Sequence, residues 1–193
     1  VAAQALLRLR KPLQALGELK LAWLSGDEST LELGLSIATR ERVLERLLLD
    51  KPGHTARLYH LLRASGPQQA LGFLEVALEF PPSQRVAEEA SLLRVSHEAE
   101  VGVPQKALAA LDALPEDLQR RSEQVLIRVQ ALVKLGRQDD AVAQLERLLA
   151  REPSNVGAGL TLVDLLASIG RPLAGHDVLH RIRPFANAQP LRL

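Results

Sequence analysis

Apolar residues recur along the second half of the chain with a step of 34 residues. Two apolar columns keep this step and lie three positions apart: Leu111, Leu145 and Leu179, then Leu114, Leu148 and Ile182. A column of small residues, Ala107, Ala141 and Gly175, lies four positions before the first of these columns. Positions with these spacings share one face of an α-helix, so the pattern predicts a repeated helix with one apolar stripe.

Glycine and proline recur at the boundaries of these helices. The glycines are Gly66, Gly102, Gly136 and Gly170, the last three of which are 34 residues apart. We expect each to adopt a positive φ, because glycine closes the end of a helix without a steric clash at Cβ. Pro104 and Pro172 follow two residues later, where the first turn of the next helix tolerates a missing N–H. A helix pair of this size cannot bury its stripe alone, so neighbouring pairs must stack.

The stretch from Ser122 to Asn155 resembles a tetratricopeptide repeat, the 34-residue helix–turn–helix family. The matching positions are Val129, Leu132, Gly136, Ala141, Leu145 and Pro153. Val156 to Phe185 is a second match, and Glu88 to Arg121 is a third in which Pro115 comes early. The early Trp of the family is replaced by Ser91, Val125 and Gly159. The resemblance implies an all-α, right-handed superhelix of stacked antiparallel helix pairs, with about five hairpins.

The resemblance divides the chain into units of unequal regularity. The boundaries are 1–27 for a truncated first repeat, 28–52 for an irregular or shortened one, 53–84, 85–121, 122–155 and 156–186 for repeats, and 187–193 for the start of another. The N-terminal third is degenerate, because the register fails between residues 25 and 52. Leu44–Pro52 still resembles Leu145–Pro153, which is predicted to end a second helix. Either a short hairpin or one long helix fits 28–52.

The composition agrees with a helical chain and limits its partners. Leucine accounts for 41 of 193 residues, whereas aromatic residues make up 3%, which favours helices over strands. Lys and Arg number 24 against 23 Asp and Glu, so bulk charge does not favour nucleic acid, and the aromatics are too few for a base-stacking platform. The chain has no cysteine and no apolar run of the length that a membrane span needs. We therefore expect neither nucleic-acid nor membrane contact.

Few residues suggest catalysis or metal binding. His176 and His180 stand four apart on a predicted helix and could begin a zinc site, but no third ligand is apparent. His60 and His97 are expected at the surface or rim. The acidic pairs Glu116-Asp117 and Asp139-Asp140 fall where helices begin, and negative charge there offsets the helix dipole. The sequence therefore predicts no enzyme and no cofactor, with a metal-dependent regulatory role for the two histidines as the alternative.

A groove lined by the first helix of each pair is the binding surface that the resemblance implies. The residues carried over to that groove are Tyr59, Arg63, Glu89, Ser96, Glu100, Gln130, Lys134 and Asp164. Their charges are mixed, and the Lys/Arg/Asn clamp with which some members hold a peptide carboxylate is not visible. The implied function is a non-catalytic scaffold that binds another protein.

Three arginines occupy the same predicted place in successive first helices. They are Arg57, Arg94 and Arg128, spaced by 37 and 34 residues. Stacked repeats would align them into a ladder, and guanidinium groups bind the carboxylates of an acidic partner bidentately. Alternatively, their stems pack against the next helix while their heads pair with local acids.

A narrower hypothesis concerns the pathway. Long, Leu- and Arg-rich, cysteine-free arrays resemble the periplasmic scaffolds of bacterial exopolysaccharide export, including the Pel- and cellulose-type outer-membrane secretion proteins. That resemblance implies a periplasmic segment, rather than a cytoplasmic one, that recruits a polysaccharide-modifying enzyme. The chain also looks cut from a longer array, and uncapped ends predict self-association.

Overall fold

The structure is a computed structural model that describes residues 2–25, 27, 29–101 and 103–186. Its α-helices, with their bounds, are α1 (Ala2–Arg8), α2 (Pro12–Ser25), α3 (Leu31–Glu41), α4 (His54–Ser65), α5 (Pro67–Glu79), α6 (Gln84–Val101), α7 (Pro104–Asp112), α8 (Glu116–Gln119), α9 (Ser122–Lys134), α10 (Gln138–Arg151), α11 (Val156–Ser168) and α12 (Pro172–Ala186). A 3-10 helix spans Leu44–Leu47. These ranges contain no β-strand, so the predicted all-α class is confirmed for the described part of the chain.

The chain forms two compact units. The first unit is Val1–Arg94 and the second is Val95–Leu193, so the division falls within α6. In each unit, helices that are neighbours in sequence pack as pairs. The pairs that pack most extensively are α1 with α2 and α4 with α5 in the first unit. In the second unit they are α9 with α10 and α11 with α12.

Of the two alternatives for the segment 28–52, residues 29–52 do not form one long helix; they form a shortened unit in which α3 packs against the 3-10 helix. α3 ends at Glu41, Arg42 takes a left-handed φ of 56°, and the 3-10 helix replaces a second α-helix. The expectation that Leu44–Pro52 matches the helical Leu145–Pro153 is therefore wrong. The physical reason is burial: three successive residues, Leu47–Leu49, are at most 6% exposed. A helix packed on one face cannot bury three consecutive side chains, so the chain becomes extended at Leu48.

Trp23 is the largest side chain in the core of the first unit and is fully buried. Gly34 of α3 leaves the space for its ring, because a Cβ at that position would overlap the indole. The indole Nε1 donates a hydrogen bond to Thr30 Oγ1 at 3.2 Å. Its ring also lies 5.7 Å, centroid to centroid, from the buried His54. Gly34 thus leaves room for the indole ring, and the Thr30 hydroxyl accepts its hydrogen bond.

The second unit carries the 34-residue pattern in its packing. Its buried stripe contains Ala107, Leu111 and Leu114, then Ala141, Leu145 and Leu148, then Gly175 and Ile182. Burial is confirmed at these positions, although Leu114 follows the end of α7 and is therefore not on a helical face. α10 packs against both α9 and α11. Leu179 is the exception, with 40% of its surface exposed.

Most of the glycines and prolines that were predicted to mark helix boundaries do so in the structure. Gly136 and Gly170 have φ of 73° and 78°, and the predicted prolines Pro104 and Pro172 are the first residues of α7 and α12. The prediction is wrong for Gly66, whose φ of 164° is extended backbone that any residue adopts. Gly102 lies outside the described residues, as does the partial repeat predicted at 187–193.

Candidate partner-binding surfaces

An open groove lies between α3 and α4 in the first unit. Two adjoining clefts of about 620 and 440 Å³ share Glu32, Leu61 and Ala64, so they form one continuous surface. Its charged groups include Glu32 near the middle, with Arg40 on one side and Arg57 on the other. The groove offers apolar, hydroxyl and charged groups of both signs to a bound chain.

The predicted groove residues of α4 divide between core and surface. Arg57, which was predicted for the arginine ladder and not for the groove, is exposed and lines the α3–α4 groove. Arg63 is half-buried. Tyr59 is only 1% exposed, so its predicted contact with a partner is wrong: the ring packs in the core and meets the His60 ring edge-on at 5.1 Å. The position carried over from the resemblance placed Tyr59 on a helix, but on its exposed face instead of its buried one.

Glu89 has a structural role that the sequence did not suggest. Its Oε1 accepts a hydrogen bond of 3.1 Å from the backbone N–H of Ala56, in the first turn of α4. The residue before α4, Gly53, has no side chain with which to cap that turn. A carboxylate at a helix N-terminus satisfies an otherwise unpaired N–H and offsets the helix dipole. Glu89 is thus a cap provided by α6.

The other predicted binding residues lie on three helices. On α6, Ser96 is half-buried and Glu100 is exposed. Gln130 and Lys134 are exposed on α9, and Asp164 is exposed on α11. Exposure is compatible with partner binding at these positions, which stays a prediction.

The three ladder arginines differ in their surroundings. Arg128 is paired within the second unit: its side chain is 16% exposed, and Nη1 donates to Asp112 Oδ1 at 2.6 Å. This local pairing is the alternative foreseen for it. Arg94 Nε is buried without a hydrogen-bond partner. Because Arg57 and Arg94 belong to the first unit and Arg128 to the second, a ladder through all three stays a prediction.

His176 and His180 lie together on an exposed face of α12. Their ring centroids are 4.6 Å apart and the rings meet edge-on. Among the described residues, no group of three or more His, Asp or Glu side chains could hold a metal ion. Both rings line a third cleft of about 340 Å³ between α11 and α12, beside Leu160 and Leu179.

The remaining histidines occupy different environments. His60 is exposed, as expected, whereas the surface or rim position expected for His97 is wrong, because it is only 4% exposed. His54 was not singled out by its sequence context, yet it is fully buried and its Nε2 lies 3.0 Å from the Leu47 carbonyl oxygen. Burial lowers the pKa of His54 below its ordinary value, and the charges of Lys51 and Lys20 lower it further.

Acidic side chains pair at helix ends. Asp139 and Asp140 lie in the first turn of α10 and form ion pairs with Arg171 at 3.2 Å and Arg137 at 2.7 Å. The Ser122 hydroxyl, which donates to Glu152 Oε2 at 2.6 Å, lowers the pKa of Glu152. These contacts fix turns between helices.

The α3–α4 groove was missed by sequence reasoning. The register is lost across 28–52, so no column of the repeat indicated which faces of α3 and α4 would lie opposite each other. The groove extends to Ser29 before α3 and to Leu31, the first residue of α3.

No family model matches the sequence, and no curated protein is detectably similar to it. In the part of the chain that the structure describes, no helix combines the length and apolarity required to cross a membrane.

Proposed function

We propose that the chain is a non-catalytic scaffold of the tetratricopeptide type that binds another protein in the groove between α3 and α4. The groove is the single feature that carries this proposal. It is open and bordered by α3 and α4, and it mixes leucine side chains with Arg40, Arg57 and Glu32. A mixed polar and apolar surface on rigid helices suits a peptide segment, since little conformational entropy is lost on the scaffold side.

The packing supports membership of a repeat class. In the second unit the 34-residue columns coincide with buried positions, and the turn glycines and helix-starting prolines keep the same step. We propose that the pairs within each unit stack with the right-handed superhelical sense typical of tetratricopeptide repeats. Nearest-neighbour packing of this kind is the property that makes repeat arrays suitable scaffolds.

The acidic side chains support a non-catalytic role. Asp50 accepts hydrogen bonds from Ser83 and Arg85, which lower its pKa, and Glu152 is held in the same way by Ser122. Their bonds join neighbouring helices and turns, so the perturbed acids are explained by structure. The same holds for Glu89, which caps α4.

A capture experiment with a groove variant tests the proposal. Ser36 is exposed and lines the groove, whereas Gln68 is exposed on α5 and does not. The immobilised wild-type chain, Ser36→Arg and Gln68→Arg would each be incubated with extract of the native host. We expect one partner to be retained by the wild type and by Gln68→Arg, and its affinity to fall at least about tenfold with Ser36→Arg.

Two outcomes would count against the groove. Equal retention by both variants would show that the partner binds elsewhere, and retention of no protein by the wild type would remove the scaffold proposal. Circular dichroism of the two variants controls for folding, because each introduces the same arginine at an exposed helical position.

The narrower hypotheses stay predictions. Among the described residues, nothing distinguishes a periplasmic exopolysaccharide scaffold from another repeat scaffold. The metal hypothesis for His176 and His180 is addressed by elemental analysis of the purified protein, for which a regulatory site requires stoichiometric metal.

A further inference from the structure

Residues 42–53, here called the α3–α4 connection, are held in place mainly by side chains. Backbone hydrogen bonds such as that from the Lys51 N–H to the Leu49 carbonyl oxygen, at 2.8 Å, stay within the connection. Side chains reach further: Lys51 Nζ donates to the Trp23 carbonyl oxygen at 2.8 Å, and Asp50 Oδ1 accepts from the Ser83 hydroxyl at 2.7 Å. A segment fixed in this way opens at a lower cost in free energy than packed helices do.

His54 stands at the end of this connection and contacts the elements on both sides of it. It is the first residue of α4 and is fully buried. Its Nε2 lies 3.0 Å from the carbonyl oxygen of Leu47 in the 3-10 helix. Its ring lies 5.7 Å, centroid to centroid, from that of Trp23 in α2. One side chain therefore connects α2, the 3-10 helix and α4.

The contact with Leu47 determines where the neutral ring carries its proton. A carbonyl oxygen can only accept a hydrogen bond, so Nε2 must be the protonated nitrogen of His54 and must donate. A second proton would bind to Nδ1. That atom is buried and has no hydrogen-bond partner among the residues that the structure describes. Protonation would thus create a buried donor without an acceptor, which costs free energy.

The charged groups around the ring also oppose a second proton. Burial lowers the pKa of the ring, and Lys51 of the connection and Lys20 of α2 lower it further. Arg46 of the 3-10 helix is a third cation, and its charge acts on Lys20. From α6, the carboxylate of Glu89 reaches the first turn of α4, but there it accepts the Ala56 N–H. The folded environment therefore favours the neutral imidazole.

We propose that the contacts of His54 with Leu47 and Trp23 form an acid-sensitive latch, which releases the α3–α4 connection when the ring is protonated. The closed latch accommodates a neutral ring, whereas an imidazolium is stabilised by the water that it reaches when the latch opens. Because α3 and α4 line the groove, opening changes the groove as well. That consequence for binding rests on the proposed function, whereas the opening itself requires no partner.

Hydrogen exchange measured by mass spectrometry at pH 7.5 and pH 5.0 tests the latch in the wild type and in His54→Gln. Glutamine keeps an N–H donor for the Leu47 carbonyl oxygen but does not titrate. After correction for the intrinsic pH dependence of exchange, the opening constant of residues 42–53 should rise by up to about 30-fold in the wild type at pH 5.0. An ordinary pKa of 6.5 in the open state sets that limit, and the rise should stay below about twofold in His54→Gln.

Two controls separate the latch from other effects of acid. His60→Gln replaces an exposed histidine of the same helix and should respond as the wild type does. Peptides from α9 and α10, which contain no histidine, should show little change in their opening constants. The contact of Asp50 with Ser83 persists at pH 5.0, because hydrogen bonds from Ser83 and Arg85 lower the pKa of that carboxyl.

Three results would overturn the proposal. They are the absence of a rise in the wild type, an equal rise in His54→Gln, and a rise of the same size in α9 and α10, which would show that acid unfolds the chain as a whole. If His54→Gln is unfolded by circular dichroism, titration of the wild-type ring by NMR decides the question. A midpoint for folded His54 below 6.5 supports the latch, and a midpoint of 6.5 or above contradicts it.

Discussion

At the scale of single residues, two helical glycines of the second unit differ in the space around them: Gly159 has no room for a Cβ atom, whereas Gly175 has. A Cβ at Gly159 would lie 2.6 Å from Cγ2 of Ile182, which no side chain can tolerate without movement. A Cβ at Gly175 would lie 3.6 Å from the Val163 carbonyl oxygen, which is ordinary contact. Ile182 can pack this closely on α11 because position 159 carries no side chain.

We expect Gly159→Ala to lower the free energy of unfolding by about 1–3 kcal/mol, because the core is overpacked against Ile182. Gly175→Ala is the matched control and should be neutral or stabilising by up to about 1 kcal/mol, since alanine favours helix. Urea denaturation followed by circular dichroism measures both. A larger loss for Gly175→Ala than for Gly159→Ala would contradict the packing described.

His54 predicts how stability depends on pH. Its folded pKa is lowered by burial, so between that pKa and the ordinary value of 6.5 the unfolded chain binds a proton that the folded chain does not. The free energy of unfolding should therefore fall as the pH decreases below about 6.5. Lys51 and Lys20, the charged groups that act on the ring, repel that proton.

Urea midpoints at pH 7.5 and pH 5.0 check this expectation. His54→Gln should reduce the difference between the two midpoints, whereas His60→Gln, which replaces an exposed histidine, should leave it unchanged. An identical pH dependence in the wild type and His54→Gln would show that other groups cause it.

Sequence reasoning at this scale recovered the residues that obey the repeat and missed those outside it. Ala107 and Leu145 are fully buried, as their columns require. Tyr59 was assigned to the surface because the assignment rested on family position, and burial of its ring overrides that position. Glu89 acts on Ala56, 33 residues away, and the His54 ring lies beside that of Trp23 in another helix, which no local pattern reveals.

At the scale of elements, helix ends depend on groups from other helices. α4 begins after Gly53 and takes its cap from Glu89 of α6. By contrast, α11 is capped locally, since Asn155 Oδ1 accepts the N–H of Ala158 at 3.0 Å. Because Glu89 belongs to α6, the stability of the first turn of α4 depends on where α6 lies.

Glu89→Ala should lower the free energy of unfolding by about 1 kcal/mol, because it leaves the Ala56 N–H without its carboxylate. Glu88→Ala is the neighbouring control, and it removes only a contact with Gln84 on the same helix, for which about 0.5 kcal/mol or less is expected. Thermal or urea unfolding distinguishes them. Equal effects would remove Glu89 as the cap of α4.

The elements themselves were largely predictable where the period holds. Pro104 and Pro172 begin helices, and Gly136 and Gly170 end turns with positive φ, because these residues act through their own backbone. The segment 28–52 was not predictable: its 3-10 helix follows from burial of Leu47–Leu49 and from the space required by Trp23, both of which are tertiary effects.

At the scale of the whole molecule, each unit consists of helix pairs that pack on their neighbours in sequence. The all-α class could be predicted from the sequence, because the 34-residue columns of the second half have helical spacing and leucine is abundant. The candidate binding groove could not, because it lies where that period fails. The account therefore depends on neighbour packing, with Leu145 of α10 fully buried and Leu179 of α12 40% exposed.

Urea denaturation of Leu145→Ala and Leu179→Ala tests this dependence most directly, because the two leucines occupy one column and receive the same substitution. Leu145→Ala should lower the free energy of unfolding by about 2–5 kcal/mol, since its side chain is fully buried. Leu179→Ala should cost less than about 1 kcal/mol, since 40% of its surface is already in water. Equal losses for the two variants would contradict the packing proposed for the repeats.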